Sequence, residues 1–555
     1  MLIRTKLFFG FFLILFVLII FKLFYFQILK YSSENIINHI SEKKILPERG
    51  KIFDINNQPL VLNNNNYKIY LEPKKIKEKN NLIKELSKIL EIDETSLSAK
   101  IDEKKDWLAI DIVDKEKKDE IENLKISGIG FEYLIKRDYP EASIAAHLLG
   151  FVGKNYQGDD IGYFGIEGYY DKDLAGLPGF LKSERDLLGR PILVGKQEMI
   201  EPENGRNLIL TIDKNVQVIV KEKLAMGIDR YQAESGCVIV ANPKTMAILS
   251  LVCLPDYDQK KYFLFSEKYF RNPVISDLYE PGSIFKPLIM AAAINEKKIK
   301  PDDFFEEKGP VKIGEYSIKT WNDRYGGKTS MTQILQRSSN VGMVYVGEKL
   351  GKDSLYSYLQ KYGFGQLTEI DLQGEVASYL KPKNSWYPID FATVTFGQGI
   401  AVTPIQMIRA FASIINGGYI LRPYVVAKIQ DQDGKEKIIK PQVERKVISE
   451  ISSLIIKKML IEVVEGGELN WARPKGYTLG GKTGTAQIPI EGHYDPNKTI
   501  ASFIGFSPDS SSPFLTLVIL RQPKTSPWGS ETAAPLFFEI AKELLIYYNI
   551  APDNL

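Results

Sequence analysis

Three short segments of this 555-residue chain hold the side chains needed for acyl transfer: Ser283-Ile-Phe-Lys286, Ser338-Ser-Asn340 and Lys482-Thr483-Gly484-Thr485. A serine hydroxyl is a poor nucleophile until a base takes its proton, and a desolvated lysine beside other positive charge is neutral enough to be that base. Residues three apart share a helix face, so the Lys286 amine is expected to reach the Ser283 hydroxyl. Ser338 can relay a proton to a leaving amine, and Asn340 can hold a substrate amide. The Lys482 charge with the Thr483 and Thr485 hydroxyls suits a substrate carboxylate. Gly484, lacking a side chain, lets a peptide backbone pair along the strand edge. The backbone N–H groups of Ser283 and Thr485 would form an oxyanion hole. Each segment alone has a plainer explanation: a helix cap with a solvated lysine, a capped turn, a glycine-rich bend with a surface lysine. Their joint presence carries the catalytic reading.

The elements around them fit that reading. Glu280-Pro281-Gly282 interrupts regular structure, and the apolar run from Leu288 to Ile294 predicts a helix that starts at Ser283. Pro287 is tolerated in a first turn, where N–H groups lack intrahelical partners. Ser338 and Asn340 fall on a loop between helical stretches Met331–Arg337 and Val341–Leu350, and Tyr477 to Gln487 reads as a strand. Asn242-Pro-Lys-Thr245 and Asp433-Gly434 mark hairpins, and the spacing from Ile451 to Val464 marks an amphipathic helix. Strands at both ends of the region with helices between predict an α+β fold, an antiparallel sheet flanked by helices.

The chain resembles the class B penicillin-binding proteins over nearly its whole length. The three segments, in this order, are the signature shared by penicillin-binding proteins and class A β-lactamases. Arg271-Asn-Pro273, Tyr279-Glu-Pro-Gly-Ser283, Phe396-Gly-Gln-Gly399, Thr403-Pro-Ile-Gln406, Ser502-Phe-Ile-Gly-Phe506 and Thr532-Ala-Ala-Pro535 add to it. Arg49-Gly-Lys-Ile-Phe-Asp54, Arg137-Asp-Tyr-Pro140 and Gly165-Ile-Glu167 resemble the family's non-catalytic pedestal. There Asn56-Asn57 replaces the usual Asn-Gly, and asparagine tolerates the left-handed turn. Buried Arg49 and Arg137 are expected to pair with carboxylates such as Glu167. The resemblance implies a serine D,D-transpeptidase: Ser283 is acylated by the stem peptide's D-alanine or by a β-lactam, Lys286 is the base, and Ser338 and Asn340 act as relay and binder. It also implies a fold like that of the serine β-lactamases.

Leu7 to Phe26 is long and apolar enough to span a bilayer, with Lys22 able to snorkel; Ser32-Ser33 is a weak candidate for signal cleavage, so an uncleaved anchor is expected. The expected organisation is a cytoplasmic tail over 1–6, a single-pass anchor over 7–29, a polar, partly helical stalk over 30–44, a pedestal over 45–205 and the transpeptidase domain over 206–555, outside the membrane. The balance of 72 basic and 69 acidic residues gives no support for nucleic-acid binding. Three histidines, His39, His147 and His493, are too scattered for a metal motif, so neither metal nor cofactor is expected. Cys237 and Cys253 lie symmetrically about a hairpin. A bridge is possible there, but two buried thiols are the favoured expectation.

A secreted β-lactamase would need neither pedestal nor anchor, and a β-lactam sensor usually has more spans. A non-catalytic division scaffold would have lost a motif residue. By resemblance, the Glu280–Ser283 and Trp386–Gly399 stretches favour a division or sporulation member over an elongation enzyme. Such proteins work beside a polytopic lipid-linked glycan polymerase and other division proteins.

Overall fold

The computed structural model describes residues 2–25, 40–101, 105–141, 143–184, 197–467, 469–490, 493–508 and 513–553. They form two compact units, Met1–Gly50 with Ala175–Gly205, and Lys51–Leu174 with Arg206–Leu555.

The first unit holds the N-terminal helix Leu2–Phe24, whose stretch Thr5–Phe24 is 20 residues long. At about 1.5 Å per residue it is as long as a hydrocarbon core is thick. The end of the expected anchor, and residues 30–39 of the expected stalk, lie outside the described residues. The described end of the expected stalk belongs to a strand, Ile40–Ile45, paired antiparallel with Gly179–Glu184, which also pairs with Gln197–Ile200.

The second unit is built on two sheets. The five-stranded sheet contains β1 (Ser235–Ala241), β2 (Ile248–Leu254), β3 (Gly480–Ile490), β4 (His493–Phe506) and β5 (Leu515–Arg521), in the order β2-β1-β5-β4-β3 and antiparallel throughout. Strand side chains alternate between faces. Val238, Val240, Val518 and Leu520 therefore pack on one face against helices Lys214–Tyr231 and Ala533–Tyr547, with Leu224, Leu536 and Phe537. Ile239, Leu517 and Ile519 face the other side, against Ile284, Leu288 and Phe411. With both faces covered, the strands read as nearly continuous apolar runs. The expected antiparallel sheet flanked by helices is the architecture found.

The second sheet has seven strands and mixes early and late sequence. Ile52–Phe53 pairs parallel with Asn207–Leu210, which pairs antiparallel with Val426–Gln430, while Pro59–Leu71 joins Leu108–Val113 and Ile129–Asp138. The Asn56-Asn57 turn survives as expected: Asn57 has φ 61°, and Asp54 accepts from the N–H groups of Asn56 and Gln58 at 2.8 and 2.7 Å. Arg137 pairs with Glu167 at 2.7 Å, both side chains buried.

Two expectations need correction. Cys237 and Cys253 are bonded to each other and not free. The Asn242–Thr245 hairpin sets a register in which the two face each other directly across β1 and β2, and sequence symmetry alone could not fix that pairing. In the helix Glu450–Gly466, Ile456, Met459, Leu460 and Val463 are buried, but Ile451 and Leu454 point to solvent.

Candidate active site

Residues Gly282–Phe285 make one turn of 3-10 helix that runs into α1, Lys286–Asn295, with Pro287 in its first turn. Every residue from Lys286 to Ile294 is buried, so the turn carrying Ser283 stands on an immobile base. Its seat is a second loop. Gly282 N–H donates to the Gly397 carbonyl at 2.9 Å, Gly399 N–H donates to the Glu280 carboxylate at 3.1 Å, and Tyr279 and Val402 exchange backbone hydrogen bonds. Gly397 has φ 78°, and a Cβ there would lie 2.2 Å from the Gly282 carbonyl oxygen. The Phe396–Gly399 stretch thus acts as the mould for the nucleophile turn.

The second segment is a sharp turn between α2 (Met331–Gln336) and α3 (Asn340–Leu350). Ser338 is held at φ 54°, a conformation that costs about 1 kcal/mol or more for a residue with a side chain. Ser339 caps α3, accepting from Gly342 N–H at 2.9 Å, and its hydroxyl donates to the buried Glu307 carboxylate. Glu307 also accepts from Gly326 N–H at 2.9 Å. It was not among the residues singled out from sequence. It lies in a charged stretch with no telling spacing, and only the fold brings it beneath the turn.

Lys286 is fully buried. Its amine donates to the Ser338 carbonyl at 2.6 Å, to Asn340 Oδ1 at 2.8 Å and to Ser338 Oγ at 3.2 Å. Asn340 Nδ2 donates to the Lys319 carbonyl at 3.1 Å, which fixes its amide orientation. No hydrogen bond joins Lys286 to Ser283 among the described residues. The expected direct contact is replaced by a lysine tied to the Ser338–Asn340 turn. Burial, and next the charge of Lys482, hold the Lys286 amine well below the usual lysine range, while Glu307 pulls it the other way. A lysine so placed can be neutral and accept a proton.

The third segment lies on β3, the edge strand of the five-stranded sheet. Lys482 is buried and donates to its neighbour Thr483, to Oγ1 at 3.1 Å and to the carbonyl at 3.3 Å. Thr485 Oγ1 accepts from Gly529 N–H at 3.0 Å. Gly484 has a further reason to be glycine. A Cβ there would lie 2.3 Å from Ser502 Oγ, 3.0 Å from an Ile284 methyl and 3.2 Å from the Pro281 carbonyl oxygen. The missing side chain lets the strand dock on the turn that carries Ser283.

A cavity of about 430 Å³ collects Ser283, Ser338, Asn340, Lys482, Thr483 and Thr485 on its walls. Trp321 and Trp528 also line it, their rings packed against each other with centroids 5.1 Å apart. Neither tryptophan stands out in the sequence, since each follows a short polar loop.

Two family profiles match the chain: the penicillin-binding protein transpeptidase domain over residues 236–542 and the penicillin-binding protein dimerisation domain over residues 44–210. Stage V sporulation protein D of Bacillus subtilis is 34% identical over 91% of this chain and 79% of its own length. The peptidoglycan D,D-transpeptidase FtsI of Buchnera aphidicola is 32% identical over 92% and 89%, and FtsI of Escherichia coli 29% identical over 92% and 86%. Among solved structures, a peptidoglycan synthetase of Bifidobacterium adolescentis superposes with a TM-score of 0.75, at 25% identity, over 93% of this chain and 98% of its own. The Ser283 turn, its buried lysine and the KTGT edge strand therefore sit in a chain that belongs to the class B penicillin-binding protein transpeptidases.

Proposed function

We propose that this chain is a membrane-anchored serine D,D-transpeptidase that cross-links peptidoglycan stem peptides, releasing D-alanine, and that β-lactams acylate the same serine. The observation that carries the reading is the Lys286 amine, buried, held below its ordinary pKa and bonded to Ser338 and Asn340 beside a cavity lined by Ser283. Ser283 Oγ attacks the carbonyl of the penultimate D-alanine, and its proton passes to Lys286. The N–H groups of Ser283 and Thr485 hold the oxyanion, Lys482 with Thr483, Gly484 and Thr485 holds the terminal carboxylate and the peptide edge, and Asn340 holds the donor amide. Ser338 hands the proton on to the departing D-alanine amine as the ester forms.

The N-terminal side of the apolar helix faces the cytoplasm and the catalytic unit lies outside, where stem peptides are. The names of the relatives support work in septal or sporulation wall synthesis, beside a polytopic lipid-linked glycan polymerase and other division proteins. Mass spectrometry of the penicillin-treated protein tests the chemistry: the adduct is expected on the peptide containing Ser283. An adduct that persists in Ser283→Ala sinks the assignment. Fluorescent penicillin at the septum of dividing or sporulating cells, alongside a tagged copy, tests the cellular role.

A further inference from the structure

The space around Ser338 continues beyond the active-site cavity. A second cavity, of about 740 Å³, shares Trp321, Gln336 and Arg337 with the first and extends along the far side of the Ser338–Asn340 turn to Arg324 and Tyr325. Its charge is distinctive. Arg324 and Arg337 are both exposed, and neither forms an ion pair among the described residues. The Arg337 guanidinium donates to the Thr329 hydroxyl at 3.3 Å, a neutral partner. The carboxylate in the lining, Glu307, is occupied by the Ser339 hydroxyl and Gly326 N–H. Asp323, next in sequence to Arg324, is engaged by Lys319 at 3.6 Å. Two guanidinium forks with no acidic partner among the described residues, in a cavity that shares Trp321, Gln336 and Arg337 with the one lined by Ser283, match a carboxylate ligand, which such groups grip bidentately.

Chemistry says which ligand needs this place. The ester on Ser283 must be resolved by an amine that loses a proton as it attacks, and the proton acceptors lie on the Ser338 side, where Lys286 Nζ is 3.2 Å from Ser338 Oγ. An amine arriving there passes through the space shared by the two cavities. We infer that the second cavity is the acceptor subsite: it takes a peptide amine whose residue also carries a free carboxylate, and Arg324 and Arg337 hold that carboxylate. The inference rests on the acyl-enzyme reading above. In the step itself the acceptor nitrogen forms an amide bond to the acyl carbon as the bond from that carbon to Ser283 Oγ breaks. One amine proton, relayed through Ser338 and Lys286, returns to Ser283 Oγ and restores the hydroxyl.

The test uses the full chain in detergent, a thioester acyl donor and two acceptors, a peptide whose diamino acid keeps its free carboxylate and the same peptide amidated at that group. The ratio of aminolysis to hydrolysis is read for each. The carboxylate form is expected to be preferred, and Arg324→Glu to cut that preference roughly tenfold or more. Arg324→Lys should keep part of it, and penicillin acylation of Arg324→Glu should stay within about twofold of the parent. Equal use of both acceptors by the parent overturns the subsite, as does an undiminished preference in Arg324→Glu/Arg337→Glu. A fall in penicillin acylation as large as the fall in aminolysis also overturns it, because the cavity would then serve the donor. If the parent forms no penicillin adduct at all, the acyl-enzyme reading fails first and takes the acceptor subsite with it.

Discussion

Replacing Gly484 by alanine separates two jobs of one strand. The added methyl carbon would meet Ser502 Oγ at 2.3 Å, so the hydroxyl must retreat by about 1.1 Å to reach an ordinary 3.4 Å contact. Ser502 is buried, and turning about χ1 is its only escape. The Ile284 methyl at 3.0 Å and the Pro281 carbonyl at 3.2 Å belong to the nucleophile turn, which is clamped from behind by Gly397 and from below by α1. Overpacking of this kind costs about 1–3 kcal/mol. A displacement of about 1 Å in a reacting group can cost 10²-fold in rate. Gly484→Ala is therefore expected to lower stability by about 1–2 kcal/mol and penicillin acylation by about 10²-fold. Adding Ser502→Ala removes the 2.3 Å contact and leaves the other two. The double variant should regain most of the stability and little of the rate. Thermal melts and the second-order rate of penicillin acylation read the two effects apart. A double variant that acylates like the parent would refute the argument, because the methyl would then act only through the strand and not through the turn that aims Ser283.

Further outcomes follow from the same geometry. Lys286→Arg should reduce acylation by roughly 10²–10⁴-fold, since a guanidinium stays protonated, whereas Lys482→Arg should lose less; equal losses would mean the roles are wrongly divided. As the proposed base Lys286 must be neutral, and because its amine is held well below 10.5, acylation should persist far below that pH and fall on the acid side as the amine takes up a proton. Glu307→Gln still offers Ser339 an acceptor but removes the charge that pulls Lys286 upward, so the acid limb should move to lower pH; a limb that stays put contradicts this. Thiol counting on the unfolded, unreduced protein should find none free, and reduction should cost about 3 kcal/mol for a loop of this size, with Cys237 and Cys253 being 16 residues apart. Arg137→Ala should destabilise by about 3 kcal/mol, because it removes the buried guanidinium that donates to the fully buried Glu167 carboxylate at 2.7 Å; a melt indistinguishable from the parent would show that the pair is dispensable.

What could be read from sequence was whatever is encoded locally. Ser283 and Lys286 share one turn, Pro281-Gly282 announces its start, and a Gly-Gly pair opens the edge strand, so motifs and elements could be placed together. The Asn57 turn and the Arg137–Glu167 pair follow from side-chain chemistry in the same way. What could not be read depends on register and on distant packing. Whether Cys237 faces Cys253 turns on a one-residue shift in a hairpin. Glu307 reaches Ser339 only because the ribbon Phe304–Glu307 and Gly327–Ser330 folds under the turn. Lys286 bonds to Ser338 and Asn340 and not to Ser283, because a buried amine turns toward the richest set of acceptors, and those come from over 50 residues away.

The seven-stranded sheet carries a consequence for how this protein can be made and cut. Its strand Asn207–Leu210 takes one neighbour from Ile52–Phe53 and the other from Val426–Gln430. As the chain emerges, Ile52–Phe53 pairs at once with Pro59–Leu71 but waits about 150 residues for Asn207–Leu210, and that strand waits about 200 more for Val426–Gln430, so the ladder closes late and against a large loop-closure entropy. A fragment trimmed to begin at residue 206 would lose Ile52–Phe53 and leave Asn207–Leu210 as a bare, apolar edge, a template for pairing with other chains. A fragment for recombinant work that begins at or before Lys51 keeps that edge covered.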